Sequence, residues 1–261
     1  MKFIPKPLVE TADVSRGKST LKDFLKSALS ATLVLAGLYL LLVLLAETLA
    51  RTIPDGWERR LSGAVGATAA GRAENIERAT VILARLTEGG PLRDLEYTVF
   101  ILDLEEPNAV AVPGGGIGLT PALFETVESE IGLAFVLAHE LGHHQHRDIL
   151  RSLGHRLLFG LAATFLLNYE GLSPVDAAFD LAETGYSRKQ ERAADAFALR
   201  LLHDKYGETS GALEFLEKLR SHRHLRIWEK YAGSHPLTRE RLENLRALDR
   251  ELNVSEPGRA Q

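Results

Sequence analysis

An uninterrupted apolar run near the N-terminus constrains this chain of 261 residues more than any other feature. Residues 28–46 (ALSATLVLAGLYLLLVLLA) carry no charge over nineteen positions. A helix needs about 20 mostly apolar residues to cross a bilayer, so we predict a transmembrane anchor at 28–50 that contacts lipid through 28–46. A buried core helix and a cleaved signal peptide are the alternatives, although the run exceeds the about 7–15 apolar residues of a signal peptide.

Cationic residues flank this run unequally. Four lysine or arginine residues closely precede it and three follow it. This bias favours a cytoplasmic N-terminus and a single-pass protein whose main folded domain lies on the extracytoplasmic, or periplasmic, side. Along the chain we expect a flexible tail at 1–27, a linker at 51–71, a folded domain at 72–251 and a C-terminal tail at 252–261.

Composition excludes several functions and indicates the fold class. The chain has no cysteine, which excludes disulfides, thiol catalysis and cysteine zinc sites. A net charge of -4 argues against a nucleic-acid partner. Strand-type residues at 95–104 and around the sequence AVAVPGGGIGLT precede a remainder rich in helix patterns. We therefore predict an α+β fold that is mostly helical, with a small N-terminal β-sheet and one preceding transmembrane helix.

The sequence HELGH, which runs from His139 to His143, carries the chemistry. Residues at i and i+4 lie on one face of a helix, so His139 and His143 can point at one ion. Imidazoles are common zinc ligands, and Glu140 lies beside the first of them, where a general base can reach water near the metal. The pattern predicts one zinc ion per chain, and its alternative is a solvated histidine-rich helix face.

A catalytic zinc needs a third protein ligand. A third histidine at metzincin spacing is excluded, because His146 and Ile149 occupy the positions that would need glycine and histidine. Glu191 and Asp195 lie one turn apart on a later helix whose face also carries small residues. We predict that Glu191 is the third ligand and that Asp195 accepts a hydrogen bond from a ligand histidine. Surface ion pairs with neighbouring arginine or lysine are the alternative.

Four ordered sequence blocks resemble a known family. The chain is similar over residues 70–250 to the HtpX-like and CAAX-prenyl-endopeptidase-like gluzincins, the forty-eighth metallopeptidase family. The resemblance implies a zincin-type peptidase domain, membrane-associated zinc endopeptidase activity in protein quality control or maturation, and the same ligands and base. The blocks are NAVAVPGGGIGLT (108–120), LAHELGHHQHRD (137–148), SRKQERAADAFAL (187–199) and SHPLTRERLENL (234–245).

The resemblance also places two further groups near the site. It implies that His235 and Arg241 lie close to the catalytic centre, where either can stabilise an oxyanion. Their alternative is a helix cap with surface arginines. A strand edge beside the cleft suits a protein or peptide substrate, because peptides bind by adding a strand to such an edge; an ordinary hairpin is the alternative. The predicted edge strand comprises Asn108, Ala109, Val110 and Ala111.

This chain also departs from its apparent family. Only one segment is long enough to span a membrane, whereas HtpX itself has several spans. The apolar run 157–167 is too short, so we expect a buried helix there rather than a hairpin in lipid. The chain is too short for the chamber of prenyl-processing enzymes. A further hypothesis is that residues 149–186 form a lid over the cleft. The alternative function is a catalytically silent zinc-binding chaperone or scaffold. The oligomeric state stays open.

Overall fold

The computed structural model describes residues 20–61, 73–90, 92–167, 185–213, 216–217, 235–236 and 238–254. The chain forms two compact units, Met1–Leu44 and Leu45–Gln261. Of the predicted tails, 1–19 and 255–261 lie outside the described residues, whereas 21–27 and 252–254 are helical. Residues 168–184 of the predicted lid and 62–71 of the predicted linker also lie outside the described residues.

The first helix, α1 (Leu21–Thr52), contains the apolar run. Its apolar window is not buried, and it is the one helix among the described residues that is long and apolar enough to cross a membrane. Helix α2 (Asp55–Leu61) follows and occupies part of the predicted linker. The side chain of Glu58 in α2 is buried and forms an ion pair with Arg93.

Three short strands form the sheet. They are β1 (Thr98–Ile101), β2 (Ala109–Val112) and β3 (Gly116–Leu119). The strand order is β1-β3-β2, with β1 parallel and β2 antiparallel to β3, so β2 is an edge strand of this sheet. Among the described strands, β2 therefore pairs with a neighbour on one side only.

Helices form the rest of the described fold. They are α3 (Ala73–Thr87), α4 (Pro121–Thr126), α5 (Glu130–Gln145), α6 (Asp148–Leu167), α7 (Arg188–Tyr206) and α8 (Arg239–Val254). Helix α6 contains 149–167 of the predicted lid and the short apolar run, in which 157–160 and Ala162 are buried or half-buried and Thr164 is exposed. The predicted α+β class, mostly helical with a small sheet, is confirmed.

Helix α5 lies in the centre of the core, and all its residues from 132 to 144 are buried. For residues 132–138 such burial follows from the sequence, because a helix segment that is apolar on all sides has no face for solvent. Ser129 caps its N-terminus by accepting a hydrogen bond from the backbone N–H of Gly132 at 3.0 Å. Helix α7, which packs against α5, begins with a capping box between Ser187 and Gln190. These two caps fix where the site-bearing helices start.

Candidate metal centre

Helices α5 and α7 approach each other closely at Gly142. A β-carbon added to Gly142 would lie 2.8 Å from Ala194 Cα, closer than real side chains allow. Only glycine therefore permits this distance between the helix axes. Glu191 lies one turn before Ala194 on α7, and the close approach brings its carboxylate to the two histidines of α5.

Three side chains predicted as metal ligands converge in the interior. His139 Nε2 lies 3.2 Å from His143 Nε2. The Glu191 carboxylate reaches both rings, with Oε1 3.4 Å from His143 Nε2 and Oε2 3.5 Å from His139 Nε2. Ligand atoms at zinc–ligand distances of about 2.0–2.1 Å in a tetrahedron are separated by about 3.3–3.4 Å. The three side chains therefore fit the spacing that a zinc ion requires.

His235 joins this cluster. Its Nδ1 lies 3.2 Å from His139 Nε2 and 3.2 Å from Glu191 Oε1, and its Nε2 lies 3.5 Å from Glu140 Oε1. The candidate ligand atoms of His139, His143, Glu191 and His235 all lie within 4.8 Å of one another, and all four residues are buried. His235 lies near the site, as predicted. Its position among the candidate metal ligands was not predicted.

Asp195 and Arg241 support one side of the cluster. Asp195 Oδ1 lies 3.0 Å from His139 Nδ1, in the position predicted for it. Arg241 donates two hydrogen bonds to Asp195, each at 2.7 Å, and its Nη1 lies 2.5 Å from Glu191 Oε2. The guanidinium therefore contacts these two carboxylates, and the oxyanion role of Arg241 stays a prediction.

Two further contacts of His143 were missed by sequence reasoning. Asp148 Oδ2 lies 3.0 Å from His143 Nδ1 and is wholly buried. The sequence feature that could have indicated Asp148 is a carboxylate five residues after the second histidine. It follows a turn in which Arg147 has a φ of 59°. Tyr186 stacks on the His143 ring with a centroid distance of 3.7 Å and an interplanar angle of 19°. No spacing rule indicated Tyr186.

Buried charges shift the pKa values of the cluster. Burial lowers the pKa of His139, but hydrogen bonds and charge from Asp195 and Glu191 outweigh it and raise this pKa to about 10. Burial raises the pKa of Glu191, but the charge of His235 and hydrogen bonds from the histidines hold it far below the usual range. Without a cation, the two histidines therefore hold protons against ionised carboxylates, and a bound metal would replace those protons because it needs neutral imidazoles.

The carboxylate of Glu140 lies between the cluster and the sheet. Its Oε2 accepts a hydrogen bond from the backbone N–H of Ala111 at 2.8 Å. Ala111 belongs to β2, so the predicted edge strand does lie beside the candidate metal centre. Asn108 precedes β2 and is held by the hydroxyl of Thr120, which accepts from the Asn108 N–H at 2.8 Å.

A buried HExxH helix, a carboxylate from a second helix and a strand edge alongside define a zincin-type metallopeptidase. The family model described as Peptidase family M48 matches residues 72–249, and the chain belongs to this family. This confirms the resemblance that the four sequence blocks indicated. Metallopeptidases of this family use a metal.

Curated relatives extend the comparison. The chain is 25% identical over 179 residues to the mitochondrial metalloendopeptidase OMA1 of Schizosaccharomyces pombe. The aligned segment covers 63% of this chain and 50% of that protein. It is 25% identical over 164 residues to the beta-barrel assembly-enhancing protease of Yersinia pestis, covering 58% of this chain and 34% of that protein. The chain thus spans half or less of the length of these relatives.

Proposed function

We propose that this chain is a membrane-anchored endopeptidase that uses one zinc ion, held by His139, His143 and Glu191, with Glu140 as general base. The observation that carries the proposal is the spacing of 3.2–3.5 Å among the three ligand side chains. Once the two imidazoles are deprotonated, all three side chains are neutral or anionic N and O donors of the kind that zinc accepts. A bound zinc ion supplies Lewis acidity toward water and toward a peptide carbonyl.

The remaining chemistry belongs to side chains of the protein. Glu140 takes a proton from the attacking water and delivers it to the leaving amine. His235 Nε2, 3.5 Å from Glu140 Oε1, is placed to donate a hydrogen bond to the developing oxyanion. Arg241 keeps Glu191 and Asp195 ionised through its direct contacts with both carboxylates. Asp195 and Asp148 each hold the far nitrogen of one ligand histidine, which fixes the orientation of both rings.

The substrate in this proposal is a protein or peptide bound in an extended form along β2. Edge strands bind main chain irrespective of sequence, which suits an enzyme that acts on many misfolded or membrane-associated proteins. Helix α1 would confine the enzyme to substrates near a membrane. The Yersinia pestis relative is a beta-barrel assembly-enhancing protease, which supports a role in protein quality control.

The decisive experiment replaces the base. Purified, zinc-loaded Glu140→Gln should cleave casein at least about 100-fold more slowly than wild type, because general-base catalysis contributes about 10²–10⁴-fold. Its zinc content should stay at one ion per chain. Glu130→Gln is the matched control, since Glu130 lies in the first turn of the same helix and is exposed. Undiminished cleavage by Glu140→Gln would show that the base is assigned wrongly.

The same protein separates the alternatives. A catalytically silent chaperone would bind stoichiometric zinc in the wild type and cleave neither casein nor a peptide library. Another zinc hydrolase, such as an amidase, would spare internal peptide bonds but release small acyl products. A structural histidine helix would bind no stoichiometric metal.

Membrane anchoring is tested separately. After alkaline carbonate extraction, the full chain should remain in the membrane pellet, because a helix of this length and apolarity inserts stably. A C-terminal tag should be cleaved by protease added to the extracytoplasmic side and protected from the cytoplasmic side. The opposite protection pattern would reverse the proposed orientation without affecting the catalytic proposal.

A further inference from the structure

Two backbone N–H groups of β2 point away from β3. Asn108 O accepts from Thr120 N at 3.1 Å, so position 108 faces β3. Successive residues of a strand direct their backbone groups to opposite sides, which leaves Ala109 and Ala111 facing outward. The contacts agree: Ala109 N–H donates to Asn108 Oδ1 at 3.0 Å, and Ala111 N–H donates to Glu140 Oε2 at 2.8 Å.

Both outward N–H groups of β2 are therefore engaged by side chains of the protein. The next outward position is Pro113, which has no N–H to donate. A peptide that pairs with this edge would need its carbonyl to compete with Glu140 for the N–H of Ala111. That competition would displace the general base at the moment when the reaction uses it.

We propose that the Ala111 N–H group positions the Glu140 carboxylate and does not bind substrate, which instead pairs with the carbonyl oxygens of Ala109 and Ala111. This inference rests on the proposed function of Glu140. The two oxygens of Glu140 then have separate tasks, with Oε2 held by β2 and Oε1 directed toward His235.

The rigidity of both partners supports this division. Ala111 is 2% exposed and pairs with Ile117 of β3, while Glu140 is 0% exposed on the central helix. A hydrogen bond to an ionised carboxylate is about twice as strong as one between neutral groups. Such a bond from a fixed strand prevents rotation of the carboxylate plane and holds the base in one orientation before substrate arrives.

The contact itself can be measured without any activity assay. Val110–Ala111 is the single Val-Ala step in the sequence, and Asn108–Ala109 is the single Asn-Ala step. Labelling with ¹³C-carbonyl valine and ¹⁵N alanine therefore gives one amide signal, that of Ala111, and ¹³C-carbonyl asparagine gives that of Ala109. In the full chain in detergent, Glu140→Ala should move the Ala111 proton upfield and speed its exchange with solvent. The Ala109 signal should stay in place.

The role of the contact is measured by an amide-to-ester exchange. Lactic acid introduced at position 111 by nonsense suppression removes the N–H and retains the methyl side chain, and the same change at Ala122 in the first turn of α4, away from the site, is the control. With a fluorogenic peptide, the ester at 111 should lower kcat about tenfold or more, the scale of a hydrogen bond to a charged group. KM should change by less than about twofold, as expected when transition-state interactions alone are lost.

Each other outcome overturns the inference. An Ala111 signal indifferent to Glu140→Ala would show that the contact does not form, and this result holds even if the ester proteins do not fold. A raised KM with unchanged kcat would assign the N–H group to substrate binding, and no change in either constant would deny it any role. An inactive zinc-loaded wild type would instead refute the proposed function, and the labelled-amide measurement would still decide whether the contact exists.

Discussion

Replacing Gly142 by alanine should damage the metal centre far more than it damages the fold. The added β-carbon would lie 2.8 Å from Ala194 Cα, 3.1 Å from Ala194 O and 3.2 Å from Ala194 Cβ. These are backbone atoms and a β-carbon, which cannot rotate away. Since carbon atoms in contact are normally about 3.5–4.0 Å apart, α5 and α7 must separate by roughly 1 Å.

The effect on stability is small because two terms oppose each other. Overpacking a core costs about 1–3 kcal/mol, whereas alanine in a helix interior is about 1 kcal/mol better than glycine. The free energy of unfolding of the metal-free protein should therefore fall by about 0–2 kcal/mol, the sum of these two contributions. Gly142→Ala should still fold.

The effect on the site is large because Glu191 moves with α7. Its oxygens now lie 3.4 and 3.5 Å from the two histidine nitrogens. A further separation of roughly 1 Å takes the carboxylate out of the range of about 2.0–2.2 Å that zinc requires, unless the metal is released by the histidines. Loss of a hydrogen bond to a metal ligand lowers metal affinity by about 10- to 100-fold. Displacement of a ligand itself should lower zinc affinity by at least this much.

Competition with a fluorescent chelator measures zinc affinity, and thermal unfolding of the metal-free protein measures stability. Gly154→Ala in α6 is the control, because its β-carbon would meet Ala46 Cβ at an ordinary 3.5 Å. It should keep wild-type zinc affinity and casein cleavage. If Gly142→Ala bound zinc as tightly as wild type, the spacing of α5 and α7 would not set the ligand geometry.

Three further predictions concern the surroundings of the site. Asp148→Asn should lower zinc affinity about 10- to 100-fold in the same chelator competition, because a ligand imidazole loses its charged acceptor. Arg93→Ala should lower the free energy of unfolding in urea by about 3–5 kcal/mol, because it leaves Glu58 buried without its cation; Arg59→Ala, at a more exposed ion pair, should cost less than about 1 kcal/mol. Burial lowers the pKa of His144 from 6.5 to about 4, so its neutral form stabilises the fold fully above pH 6.5 and this contribution is lost as pH falls toward 4. His144→Asn should flatten the dependence of the urea midpoint over that range.

The sequence predicted those parts of the site that follow from helix periodicity. His139 and His143 share a helix face because they are four residues apart, and that relation needs no tertiary information. The position of Glu191 beside the histidines was predicted because a carboxylate among small residues suggested a helix that packs closely, and Gly142 does lie close to Ala194. The fold class followed from the same local patterns.

The contacts that sequence reasoning missed depend on how separate elements meet. Asp148 reaches His143 only because the chain turns sharply at Arg147, whose φ of 59° is rare for a residue with a side chain. Tyr186 lies on a ring 43 positions earlier in the chain, and no periodicity relates the two. His235 precedes α8 and reaches His139 of α5 and Glu191 of α7, so its distance to Glu191 depends on how separate elements of the chain meet.

The charge balance of this interior explains why the polar cluster is suited to a metal. Four buried carboxylates lie within or against it, and they are Glu140, Asp148, Glu191 and Asp195. Among the described residues, Arg241 is the buried arginine that pairs with two of them, and Arg151, which contacts Asp148, is partly exposed. Buried carboxylates that lack full compensation destabilise a fold by several kcal/mol. A divalent cation between the histidines and Glu191 would supply the missing positive charge, so folding and metal binding should be coupled, and zinc should raise the unfolding temperature in proportion to the logarithm of its concentration above Kd.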